Sequence, residues 1–219
     1  MRDSKITATI AAAVTLGACA SMYVSITGGF GPRVDRAAHE ASGLLTAKEA
    51  LALLQPGGEI TVVTRDTRTF ENPASDIQMA SFLKAVRKGR AKIRSVLALQ
   101  VDPLRPVRVP AGDFCQLIRD TPQGCVIVSF MGPPLLSSSQ RLQLGEIKPA
   151  IVAFCSGSMT ELADLRSLFA QGLLQAAVVE KSSLGGAGAA SGISSGRSHR
   201  SFVTITAANV DELAPASTL

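Results

Sequence analysis

The chain has 219 residues, 46% of them hydrophobic and 4% aromatic, with no Trp and one Tyr, Tyr23. That composition supports one ordinary buried core but speaks against ring stacking as the main mode of recognising sugars or single-stranded nucleic acid. The net charge of +5 admits an anionic partner, yet the densest basic run, Lys84, Arg87, Lys88, Arg90, Lys92 and Arg94, reads as one solvated helix face and its exit, so no nucleic-acid partner is expected.

The first element is a leader. Arg2, Asp3 and Lys5 precede a stretch from Ile6 to Pro32 with no charged residue. Such a run is long enough for a bilayer core, which takes about 20 apolar residues. Three readings stay open: a single-pass helix over roughly 6–26, a cleaved signal peptide near Ala18-Cys19-Ala20, and a lipoprotein signal. The last arises because Leu16-Gly17-Ala18-Cys19 resembles a bacterial lipobox and would put a lipid on Cys19. All three place residues 1–32 as an anchor or signal. Arg2 and Lys5 favour an N-terminus on the inner side, hence a domain facing a periplasm-like space or the exterior.

The α/β domain is expected over residues 33–182. Thr46 and Glu49 have capping-box spacing, so a first helix is predicted after Gly43, with Ala47, Leu51 and Leu54 on one face and Pro56-Gly57-Gly58 as its stop. Ile60-Thr61-Val62-Val63-Thr64 is a β-branched run and reads as a buried strand. Asn72-Pro73 opens a helix, with Ser75 and Gln78 as a second possible box; Ile77, Ala80, Leu83 and Val86 form its stripe and Gly89 its stop. A strand is predicted over 93–101, followed by Pro103, Pro106 and Pro110, which forbid a long helix there. A short helix over 112–119 points Phe114, Leu117 and Ile118 inward. Cys125 to Phe130 is a third strand, running into the Met131-Gly132-Pro133-Pro134 loop and a short helix that ends at Gly145. Ala150 to Phe154 is the fourth strand. Ser158 and Glu161 form a third box before a helix carrying Leu162, Leu165, Leu168 and Phe169, which stops at Gly172; Ala176 to Val179 is the fifth strand. Residues 183–200, rich in Gly, Ala and Ser, read as a flexible loop. Residues 201–206 read as a last strand at an edge, within a 201–219 segment whose end is loose.

Strands that are apolar throughout and alternate with helices imply a mostly parallel sheet covered on both faces. The expected fold is a three-layer α/β/α doubly wound domain, Rossmann-like or flavodoxin-like, preceded by the N-terminal apolar helix. Ligands of such sheets sit beyond the carboxyl ends of the strands. That rim would hold Arg65, Asp66 and Arg68 after the first strand, Met131 and Gly132 after the third, and Ser156, Gly157 and Ser158 after the fourth. A helix start behind Ser158 suits an anion or a sugar hydroxyl. Each of these residues also has a plain structural reading, capping for Ser158 and a loop ion pair for Arg65 and Asp66.

No catalytic set emerges. Cys155-Ser156-Gly157-Ser158-Met159 lacks the flanking glycines of a nucleophile elbow, and no glycine-rich phosphate loop follows a strand. A serine or cysteine hydrolase stays open only because triads assemble in space. The cysteines, Cys19, Cys115, Cys125 and Cys155, have no metal-knuckle spacing, and the histidines, His39 and His199, fall in expected loops, so neither metal nor cofactor is expected. Cys115 and Cys125 are read as small apolar core residues, with a disulfide between them as the alternative in an exported domain.

The segment Lys148 to Phe154, then a helix, then Leu165 to Val179 is similar to the C-terminal part of type I periplasmic sugar-binding proteins and LacI-like effector domains. The resemblance covers about half of the chain. It implies a binding lobe for a small polar ligand. The departures are that residues for one lobe only are present, that Cys155 stands where the family has an acidic residue, and that the sugar-stacking aromatics are missing. The functional expectation is therefore a membrane-anchored envelope domain of interaction or structural type without catalysis, with a solute-binding or sensing lobe as the alternative and a hydrolase behind it.

Overall fold

The computed structural model describes residues 14–23, 34–68, 71–100, 109–145, 148–156, 164–181 and 201–213. Residues 14–23 are helical and exposed, and they belong to a compact unit, Met1–Val34, separate from the unit Asp35–Leu219. Among the described residues no helix is long and apolar enough to cross a membrane.

The larger unit runs α1 (Arg36–Leu53), β1 (Glu59–Arg65), α2 (Pro73–Lys88), β2 (Lys92–Leu99), α3 (Ala111–Asp120), β3 (Val126–Ser129), α4 (Ser138–Gln143), β4 (Ala150–Cys155), α5 (Leu165–Ala170), β5 (Ala176–Glu180), β6 (Phe202–Ile205) and a 3-10 turn, Val210–Glu212. The six strands form one sheet in the order β2-β1-β3-β4-β5-β6. The first five are parallel, and β6 pairs antiparallel with β5 from Ala177↔Ile205 to Glu180↔Phe202. This is the doubly wound arrangement that the alternation of strands and helices implies, with the flavodoxin-like order and an added antiparallel edge.

Alternate side chains of each strand enter different cores. Ile60, Val62, Val126, Val128 and Val152 pack with Phe82 and Val86 of α2 and Ala47 and Ala50 of α1. Val63, Ile127, Ile151, Ala153 and Cys155 pack with Phe114 and Ile118 of α3 and Leu165, Leu168 and Phe169 of α5. The two clusters are the two faces of the sheet, which is why β1, β3, β4 and β5 are buried and largely apolar along most of their length.

The first helix departs from its sequence reading. It starts at Arg36, ten positions before Thr46, and its cap is Asp35, whose carboxylate accepts from Ala38 N at 3.1 Å. His39 is therefore helical, not in a loop. Thr46 is fully buried mid-helix and donates back to Ser42 O at 2.8 Å, while Glu49 accepts from Thr204 of β6 at 3.3 Å, so neither serves a capping box. The buried face is Ala38, Ser42, Gly43, Thr46, Ala47 and Ala50. These small side chains carry almost no apolar periodicity, and their smallness is what lets α2 approach. A Cβ on Gly43 would collide with the backbone carbonyl of Gln78. At that crossing the buried Gln78 donates to Ser42 Oγ at 2.9 Å.

In α2 the cap is Asn72, accepting from Ser75 N at 3.0 Å, and the Ser75–Gln78 box is not formed. Its inward residues are Gln78, Phe82 and Val86; of the expected stripe Val86 is buried, Ile77 and Leu83 are only partly buried and Ala80 is exposed. Gly89 does not take the left-handed conformation at the helix end. Arg90 does, at φ 57°, with Ala91 N donating to Val86 O at 3.2 Å and Arg90 N to Arg87 O at 3.0 Å, a Schellman end. Gly89 is the C-cap, as its position as a stop implies, and a Cβ there would meet the end of the Leu51 side chain at 2.7 Å. The basic run from Lys84 to Arg94 is solvent-exposed, as its spacing implies.

The helices α3 and α4 follow their sequence reading, whereas α5 is described only from Leu165 and has a different cap. In α3 the buried side chains are Phe114, Cys115 and Ile118. The short helix α4 has a capping box, Ser137 with Gln140, that the sequence reading had not singled out. The helix α5 is capped by Asp164, which accepts from Ser167 N at 3.1 Å; the Ser158–Glu161 box and Leu162 lie outside the described residues, as do Val101 and the glycine-rich segment 183–200.

Candidate functional site

The strand order reverses between β1 and β3: from β1 the chain winds outward to β2, and from β3 it winds the other way to β4 and β5. The connections leaving the carboxyl ends of β1 and β3 therefore part, the place where doubly wound sheets of this order bind their ligands. Of the candidate rim residues, Arg65, Asp66 and Arg68 lie at the β1 end.

Asp66 follows β1 directly, and its amide donates to Leu99 O of β2 at 2.8 Å, fixing the start of the loop. Its carboxylate accepts from Arg68 three times: Oδ1 from the backbone N at 3.0 Å and from Nε at 2.9 Å, and Oδ2 from Nη2 at 2.9 Å. Only 6% of the Asp66 side chain is exposed, against 85% of Arg68. The Arg68 guanidinium, and then its amide, hold the Asp66 carboxyl below its ordinary range, and the same contact raises Arg68. Asp66 and Arg68 thus form a local ion pair. The loop is tied to α2 by Thr67, which donates to Asp76 Oδ1 at 2.9 Å.

Arg65 differs. It is half-buried at the end of β1, on the sheet face of Val63, and its guanidinium has no hydrogen bond or ion pair among the described residues. At the end of β3, Ser129 is buried and its hydroxyl accepts from Met131 N at 3.3 Å, while Phe130 N donates to Val63 O at 2.8 Å. Met131 is 3% exposed, with its side chain in the core, and Gly132 is buried. After β4, Ser156 is exposed; Gly157 and Ser158 lie outside the described residues.

Cys155 closes β4 on the face of α3 and α5 and is completely buried, and burial pushes its thiol up to about 12. A thiol so protonated is a poor nucleophile. Cys115 and Cys125 are buried free thiols: Cys115 Sγ faces Gln140 O at 3.9 Å, and Cys125 Sγ accepts from Glu59 N at 3.4 Å. Cys19 is exposed with a free thiol on the 14–23 helix. Among the described residues no cluster of His, Cys, Asp and Glu could hold a metal ion, and no buried side-chain polar atom lacks a partner.

One feature near the rim had no signal in the low aromatic content. Phe82, Phe130, Phe154 and Phe202 form a row, with ring centroids 5.3, 6.4 and 5.5 Å apart in that order. Four of the eight Phe are thus gathered near the ends of β3 and β4. Phe130 and Phe202 are only half-buried. The one available clue was positional, since Phe130 and Phe154 both fall at the end of a strand-forming run.

No protein-family model matches the chain. No curated protein matches it. Among solved structures it is similar to a sugar-binding protein of a sugar ABC transporter from Bacillus halodurans, at 16% identity and a TM-score of 0.45 over 64% of this chain and 45% of that one. It is similar to an ABC transporter solute-binding protein from Burkholderia graminis in complex with D-arabinose, at 16% identity and a TM-score of 0.42 over 64% and 47%. A protein described as a LacI transcriptional regulator from Bacteroides fragilis matches at 10% identity and a TM-score of 0.44 over 65% and 47%. The chain spans about half the length of these structures. They belong to the classes that Lys148 to Val179 resembles; the fold class itself rests on the strand order and polarity.

Proposed function

We propose that the domain is a single binding lobe for a small polar ligand bearing an anionic group, held in the crevice beyond β1 and β3. The observation that supports this is Arg65: a half-buried residue whose guanidinium has no partner among the described residues, at the point where the strand order reverses. Asp66 and Arg68 neutralise each other and shape the loop, and their free lone pairs and N–H groups suit hydroxyls. The half-buried Phe130 ring follows β3 on the other face of the sheet, packed against Phe82 and Phe154. Exposed Ser156, with Gly157 and Ser158 after it, would close the far side, and the backbone around Met131 and Gly132 would contribute from β3. The role is binding, without catalysis.

A thermal-shift screen of neutral sugars, sugar acids, sugar phosphates and small carboxylates tests this. A ligand at about 100 times its Kd stabilises the fold by about 2.7 kcal/mol, a rise of roughly 5–10 °C for a domain of this size. The shift should vanish in Arg65→Ala and persist in part in Arg65→Lys. No shift from any anionic ligand, or a shift indifferent to Arg65→Ala, refutes the assignment.

The leader supports an extracytoplasmic placement, anchored through residues 1–32 by a retained span or a lipid on Cys19. The mass of the mature protein distinguishes these from simple cleavage. A second reading, an interaction domain of the envelope, is favoured by the edge strand β2, where Val96 is 49% and Leu97 39% exposed. It predicts that a photo-crosslinker at position 96 captures one envelope protein and that Leu97→Lys abolishes the adduct.

A further inference from the structure

The outer surfaces of α1 and α2 leave between them an open groove of about 960 Å³. Its α2 side is Ile77, Ala80, Lys84 and Lys88, and its α1 side includes Glu40, Leu44 and Leu51. Ile77 and Ala80 belong to the stripe that the sequence assigns to the core; the sheet is instead met by Gln78, Phe82 and Val86, so α2 is apolar on two faces. Leu44 is 51% exposed on the facing helix. Two apolar flanks brought side by side and left open are the geometry of a docking groove.

The dimensions and the chemistry select the occupant. The α1 wall runs from Arg36 to Leu51, a length of about 22 Å at 1.5 Å per residue, which fits about four turns of helix. The walls are helices whose backbone groups are already paired, so an extended strand would find no ladder to join, whereas a helix brings its own backbone satisfied. The charges set its direction. At one end Glu40 is paired with Arg36 at 2.8 Å and Asp76 accepts from Thr67 at 2.9 Å. At the other end Lys84 and Lys88 have no hydrogen bond or ion pair among the described residues, and both are exposed. Positive charge is thus concentrated at this end, while the carboxylate of Asp76, hydrogen-bonded to a hydroxyl but not ion-paired among the described residues, lies at the other, so the groove is polarised along its length.

We propose that this groove docks an amphipathic helix of a partner protein, with its apolar stripe on Leu44, Leu51, Ile77 and Ala80 and its acidic residues over Lys84 and Lys88. This goes beyond both functional readings above, since it uses neither the crevice at Arg65 nor the edge of β2.

The test is selection of a displayed random-peptide library, each peptide about four helical turns long, on the full chain, with counter-selection on Leu44→Glu. The exposed position of Leu44 makes that variant neutral for folding, which its melting curve verifies. Enriched peptides should carry apolar residues at helical spacing with Asp or Glu toward one end. Binding should weaken roughly tenfold or more in Lys84→Glu/Lys88→Glu and return when the peptide's acidic residues are changed to Lys. Failure to enrich any peptide over the Leu44→Glu variant overturns the proposal, as does enrichment of sequences without helical period. Saturable uptake of dodecanoate that Leu44→Glu abolishes, without peptide enrichment, assigns the groove to an acyl chain. A dimer that Leu44→Glu dissociates assigns it to a second copy. Either outcome also overturns the helix.

Discussion

Replacing Gly43 by Ala sets two effects of opposite sign against each other. Gly43 sits inside α1, and on helix propensity alone the change should stabilise by about 1 kcal/mol. The structure reverses that sign. The new methyl group would run into the carbonyl of Gln78, with Phe82 N and Ser81 Cβ each 3.1 Å away. The nearest atom is backbone, so no side-chain rotation relieves the clash, and α1 must move off α2. Such overpacking costs about 1–3 kcal/mol. The same displacement lengthens the buried Gln78–Ser42 hydrogen bond, worth about 1 kcal/mol more. The net is a loss of about 1–3 kcal/mol, or roughly 2–10 °C in Tm for a domain of this size. Thermal unfolding followed by far-UV circular dichroism reads it. Gly112→Ala is the control: it is also helical, in α3, and has nothing within 4 Å of a new Cβ, so it should stabilise by at most about 1 kcal/mol. If Gly43→Ala melts at or above the wild type, the close α1–α2 crossing is wrong.

Three further outcomes are expected. Arg90→Gly should stabilise by about 1 kcal/mol, because Arg90 holds φ 57° and a side chain there is strained; an unchanged or lower Tm would contradict the left-handed helix end. Cys155 should resist thiol reagents in the native protein at mildly alkaline pH, as should buried Cys115 and Cys125, while Cys19, where it carries no lipid, reacts. Its unfolded thiol ionises near 9.0 and its folded thiol at about 12, so the folded state keeps the proton longer. Stability from this group is intact below pH 9 and falls by about 1.4 kcal/mol per pH unit between the two values, and Cys155→Ala should flatten that fall in urea titrations at rising pH. Arg68→Ala should raise the Asp66 pKa, measured by NMR titration; because folding depresses that pKa, the pair's contribution is present above 3.8 and lost as pH falls through the folded value.

The candidate site was legible in position more than in role. The sequence placed Arg65, Asp66 and Arg68 after a strand, and they are there. It could not tell that Asp66 would be spent on Arg68 and Arg65 left without a partner among the described residues, because that depends on how the loop turns back over two residues. Met131 is a polar-rim candidate by chain position and a core residue in space, since the loop after β3 folds over the α3 side of the sheet. The Phe row was invisible because its members come from α2, the turn after β3, β4 and β6.

By itself the sequence determined the strands and their number: β1, β3, β4 and β5 are written in the near-continuous apolar runs that burial on both faces requires, whereas β2 and β6 are strands without such burial. It also determined both ends of α2 and the C-terminal end of α5 to within a few residues, through proline, asparagine and glycine chemistry. Only the tertiary structure decided the order β2-β1-β3-β4-β5-β6, the reversed direction of β6 and the true length of α1. These depend on which surfaces meet. The buried face of α1 is written in alanine, serine, glycine and threonine, whose selection is for closeness to α2 and not for hydrophobicity, and closeness has no signature until the second helix is in place.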